Sequence, residues 1–180
     1  MITQLGKRAV CRQLLLGVAQ IWVTGGTHIT QGTVKLNDTY FNTATYNKPE
    51  WRNLVSCQEV GHTLGLDHQD TNFDNPNLGT CMDYTSNPLG PLDNEHPNQH
   101  DYDELVTIYS HLDSTTTLDT STPLPPAMTD IDLEGPNQWG RLVRQSASGS
   151  DSTYEADFGN GLKIVTHVTW AVGTAGRGRQ

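Results

Sequence analysis

Residues 58–68, QEVGHTLGLDH, carry side chains whose types and spacing can build a metal site. Residues four apart on a helix share a face, so Gln58 and His62 converge on one point. Glu59 is turned about 100° from Gln58 and can reach a water held at that point without being a ligand itself. Gly65 ends the helix, because a residue with no Cβ takes the left-handed conformation of a C-cap, and His68 then returns as a third ligand. Hydrolytic zinc sites keep three protein ligands and one position for water. This spacing meets that requirement if Gln58 serves. An amide oxygen is a poorer zinc donor than an imidazole, since carbonyl oxygens suit harder cations. Gln58 is therefore expected to face the metal, ligating weakly through its oxygen or leaving zinc to His62 and His68. The competing reading is that Gln58, Glu59 and His62 form the polar face of an ordinary helix.

The elements that position these groups can be read from pattern. Residues 49–64 form a helix that opens with Pro49 at its first position and repeats Trp51, Leu54, Val55, Gln58 and His62 at helical spacing. Residues 14–46 precede it as strands, with Gly25-Gly26 and Asn37-Asp38 as breakers. The basic-then-apolar stretch at residues 7–23 has the outline of a secretory signal, but Gln13 and Gln20 interrupt it and no cleavage site follows. Its last part, GVAQIWV at residues 17–23, reads instead as a buried strand. After an irregular loop, a second helix spans residues 99–112, with Tyr102, Leu105, Ile108, Tyr109 and Leu112 as its apolar stripe and acidic residues in its first turn.

Residues 113–130 read as a Ser/Thr/Pro linker with nothing to pack. Residues 131–171 follow as three strands, with Asn160-Gly161 as a tight hairpin turn between the last two. So short a piece has too little core to stand alone and is expected to dock on the main domain or on a partner. Residues 172–180 read as a disordered tail. His96, His100, His111 and His167 read as surface or helix residues. Asp70, Asn72 and Asp74 alternate as oxygen donors do in calcium loops. An EF-hand is excluded by Asn75 and Cys81 at its glycine and glutamate positions, which leaves a structural calcium site or a polar turn. The net charge of -9 argues against a nucleic-acid partner, because phosphate binding needs clustered Lys and Arg. No apolar run is long enough to cross a bilayer.

The segment TCMDYT, residues 80–85, adds the second half of a pattern. With the zinc motif of residues 58–68 it resembles the metzincin clan of zinc endopeptidases, in particular bacterial matrixin-like secreted proteases. The likeness runs from about Leu16 to Leu112, with Gln58 where the clan has its first histidine. The resemblance implies an α+β catalytic domain over residues 1–112: a twisted mixed sheet, an active-site helix, a Met-turn and a C-terminal helix, with a small β-rich appendage. It gives His62 and His68 to zinc, Glu59 the part of general base, and Met82 the hydrophobic floor of the Met-turn. Tyr84 holds the position from which astacin- and serralysin-like members swing a tyrosine towards the metal. The same resemblance brings Cys57 and Cys81 together as a disulfide, leaves Cys11 as a free thiol and favours an oxidising, extracellular compartment. Only about thirty residues precede the segment HITQGTVKLND, which fits the substrate-binding edge strand, and none reads as the long helix that such proteins carry. The resemblance thus implies a chain shortened at its N-terminus, with an unpaired sheet edge.

Three functions compete. The first is a zinc-dependent endopeptidase acting on protein or peptide substrates lying along residues 31–37. The second is a degenerate homologue, metal-poor or metal-free, that binds peptide or protein without cleaving it. The third is an extracellular adhesion module working through its C-terminal strands. Glu59 discriminates among them, because a pure binding module has no use for a carboxylate beside the metal.

Overall fold

The computed structural model describes residues 2–4 (backbone alone), 15–70, 72–111, 124–129 and 135–171. The protein is α+β. Its sheet has six strands in the order β1-β3-β2-β6-β5-β4, formed by β1 (Ile2–Gln4), β2 (Leu15–Thr24), β3 (His28–Leu36), β4 (Arg141–Gln145), β5 (Asp151–Gly159) and β6 (Leu162–Trp170). β1 joins β3 in parallel, and the other four neighbouring pairs are antiparallel. The helices are α1 (Asp38–Phe41), α2 (Pro49–Thr63), α3 (Gln99–Ile108) and α4 (Pro126–Thr129). Among the described residues no helix is long and apolar enough to cross a membrane.

β2 lies at the centre, buried from Leu15 to Val23, and its nearly continuous apolar sequence is what a strand covered on both faces requires. α2 lies against one face. Gly17 makes that approach close: a Cβ there would come within 2.6 Å of Glu59 Oε1 and 2.7 Å of Val55 Cγ1. On this side Leu16, Trp51, Leu54, Val55, Leu66 and Met82 form one core. On the other face Val18, Trp22, Met128, Trp139, Ile164 and Val168 form a second.

The strands expected within residues 131–171 exist, and the turn at Asn160 and Gly161 has both residues at positive φ, as a two-residue hairpin demands. They are not an appendage. β6 pairs with β2 from Leu15 to Val23, so β4, β5 and β6 complete the main sheet. The division expected at residue 130 is crossed by the pairing of β2 with β6. The reason is burial: Ile164, Thr166 and Val168 are fully covered, and only the main sheet offers enough surface to cover them. The expected linker is also partly built in, since Met128 is 1% exposed and its carbonyl accepts the Trp22 indole N–H at 3.0 Å. Residues 112–123, the tail at 172–180 and Cys11 lie outside the described residues.

β3 is not a free edge along its whole length, because β1 covers it from Val34 to Leu36. The second helix ends at Ile108; of its expected stripe Leu105 and Ile108 pack against the first core, Tyr102 and Tyr109 stand 52% and 55% exposed, and Leu112 lies outside the described residues.

Candidate metal centre

α2 begins at Pro49 and carries Trp51, Leu54, Val55, Gln58, Glu59, Gly61 and His62 on its buried surface. After the C-cap Leu64, Gly65 adopts φ +91° and turns the chain back on the helix. Leu66 then donates its N–H to the Gly61 carbonyl at 3.1 Å, and its own carbonyl lies 2.9 Å from His62 Nδ1. That contact places the His62 proton on Nδ1 and leaves Nε2 buried with no hydrogen-bond partner. His68 follows with its side chain fully covered, stacked at 4.4 Å on the Tyr84 ring and at 4.6 Å edge-on to His62.

The third group converging here is Asp151, at the start of β5. Its Oδ2 lies 3.2 Å from His68 Nε2, and it is 1% exposed. Ligand atoms of His62, His68 and Asp151 lie within 4.8 Å of one another, so these residues can hold a metal ion. Sequence reasoning missed Asp151. It stands 83 residues from His68, in strands assigned to a separate module, and no local motif marks it.

Gln58 is buried at the expected place, but its amide oxygen is not offered to the metal. Nε2 donates to the Cys81 carbonyl at 3.1 Å, which fixes the orientation of the amide because a carbonyl can only accept. Oε1 is then turned to Thr169 of β6, whose hydroxyl donates to it at 2.9 Å. The expectation of Gln58 as a ligand is corrected on this point.

Glu59 is fully buried where α2 meets β2, and neither carboxylate oxygen has a well-formed hydrogen bond. Burial pushes its pKa well above the usual carboxylate value, and the nearby Asp151 charge adds to the rise. Thr169 and the Ala19 backbone oppose it. His62 is driven the other way, well below the usual histidine value, by burial first and then by His167 and His68. His167, expected at the surface or on a helix, lies on β6 with its ring stacked on His62 at 4.1 Å. Burial lowers its pKa to about 4. Tyr84 is 4% exposed, and burial beside Asp151 raises its pKa.

Beneath these groups lies Met82, fully buried, whose Sδ would stand 2.5 Å from a Cβ at Gly61. The turn that carries it is held by Thr80, whose hydroxyl donates to Asp101 in the first turn of α3 and accepts the Met82 N–H. The Cys57–Cys81 disulfide ties the same turn to α2, with Cα atoms 5.9 Å apart. The Asp70, Asn72 and Asp74 loop is built as a polar turn. Asp70 accepts from the Asn72 N–H and the Asn75 amide, and Asn72 accepts from the Asp74 N–H. In comparisons with family models, curated proteins and solved structures, nothing matches this chain.

Proposed function

We propose that the protein is a secreted, zinc-dependent endopeptidase of metzincin type, with zinc held at the group formed by His62, His68 and Asp151. The observation that carries this reading is the set of buried polar atoms without a well-formed hydrogen bond: both Glu59 oxygens, His62 Nε2, Asp151 Oδ1 and the Tyr84 hydroxyl. Such atoms cost stability unless something compensates them. Two imidazoles and a carboxylate suit a borderline cation such as zinc better than calcium, which takes oxygen ligands only. The disulfide and the absence of a membrane-spanning helix among the described residues are compatible with an extracellular site of action.

When bound, zinc would polarise the scissile carbonyl and acidify water. The chain's own residues would do the rest. Glu59 would take a proton from the attacking water and return it to the leaving amine. Its burial raises its pKa, and positive charge beside it would favour the ionised form that the reaction requires. Tyr84 would donate a hydrogen bond to the oxygen on which charge develops. His167, through its stacking on His62, would hold that ring in place. An apolar hollow beside Gln58 and Tyr84, lined by Leu16, Trp51, Leu54 and Trp170, would receive an apolar side chain of the substrate.

The second reading, a homologue that holds peptide or protein without cleaving it, is favoured by the full burial of Glu59 and His62, which leaves no exposed face for a scissile bond. One experiment separates the two: zinc content by mass spectrometry together with hydrolysis of an unstructured protein substrate. Bound zinc with hydrolysis that Glu59→Gln abolishes supports the peptidase. Bound zinc without hydrolysis supports the binding homologue.

A further inference from the structure

We propose that Asp151 has taken over from Gln58 as the third protein ligand, so that the metal ties β5 to the loop following α2. The proposal rests on the zinc-centre reading above and adds to it the origin of the missing ligand. Both ends of the Gln58 amide are committed, one to the Cys81 carbonyl and one to the Thr169 hydroxyl. The Asp151 carboxylate is 1% exposed, with one oxygen against His68 and the other, beside Tyr84, without a well-formed hydrogen bond. A buried carboxylate in that condition needs a cation or a proton.

The sheet accounts for the exchange. Asp151 of β5 sits opposite Thr169 of β6 in the register, so one cross-strand pair supplies both the group that fixes Gln58 and the group that faces His68. The backbone of Asp151 is fixed in turn: its N–H donates to Ser146 Oγ at 3.0 Å, and its carbonyl accepts the Ser146 N–H at 3.2 Å. A second tie runs alongside. Arg144 on β4 makes a two-bond ion pair with Asp67, whose carboxylate also accepts the His68 N–H. Gln58 is therefore a positioning residue that braces α2 against the turn at Cys81 and Met82 and against β6.

The test is zinc binding by isothermal titration, joined to hydrogen exchange of β5 with and without zinc. The nearly isosteric Asp151→Asn variant should lose about tenfold or more in affinity. Gln58→His should change the affinity by less than about threefold, because its ring would enter a place already braced on both sides. Zinc should slow exchange at the start of β5 in the natural protein and fail to do so in Asp151→Asn. Unchanged affinity in Asp151→Asn, a tenfold gain in Gln58→His, or β5 exchange indifferent to zinc would each overturn the assignment. If Asp151→Asn does not fold, the β5 exchange of the natural protein and the Gln58→His titration decide it. The hydrolase reading fails separately: cleavage that survives Glu59→Gln, in a protein whose zinc binding depends on Asp151, would sink the peptidase and leave the ligand assignment standing.

Discussion

At the scale of single residues the centre turns on groups that are costly where they sit. Glu59 is uncharged most easily when nothing cationic is near, since burial raises its pKa. Its value to the protein therefore lies in the chemistry beside it. On the proposed hydrolase reading, Glu59→Gln would keep the shape and remove the proton acceptor, so hydrolysis should fall by about a thousandfold while zinc content and folding stay nearly unchanged. Steady-state kinetics on zinc-loaded protein check this. Tyr84→Phe should be milder, about a hundredfold in kcat with little change in KM, because one oxyanion donor is lost and the ring stacked on His68 remains.

At the scale of elements, α2 and the turn under it are fitted to each other. Gly61 has no side chain because Met82 Sδ fills the space, 2.5 Å from where a Cβ would stand. Gly61→Ala gains about 1 kcal/mol in helix propensity but overpacks a fully buried contact, which typically costs about 1–3 kcal/mol. A net loss of about 1 kcal/mol is expected in urea denaturation, accompanied by weaker zinc binding as the turn shifts. Opening the Cys57–Cys81 bridge by changing both residues to Ala should cost about 3 kcal/mol on the chain-entropy account. The elements were largely legible in the sequence because their signals are local. Pro49 and Gly65 bracket α2, and Asn160-Gly161 marks the hairpin. The start of α3 has its capping box at Asn98 and Asp101. Its end was not legible, since an apolar stripe does not reveal whether anything will cover it, and Tyr102 and Tyr109 are left exposed.

At the scale of the molecule the arrangement is decided by pairing over long sequence distances, and here the sequence was least informative. His62, His68, Glu59 and Met82 could be placed because one helix and two turns bring them together. Asp151, Thr169 and His167 could not, because they reach the centre only once β6 has found β2. That pairing determines the last prediction. A chain ending at residue 130 would keep residues 58–68, the turn at Met82 and α3, and would be stable by itself if the later strands were an appendage. In the structure it loses the partner of β2 from Leu15 to Val23 and half of the second core, including Trp139, Ile164 and Val168. Val18 and Trp22 would face water, beside an unpaired strand edge open to aggregation. The shortened chain should therefore show no cooperative thermal transition and no near-ultraviolet circular dichroism, and zinc should not restore either. A cooperative melt with retained zinc binding would mean that the strands from Arg141 to Trp170 are separable after all, and that Asp151 is dispensable to the centre.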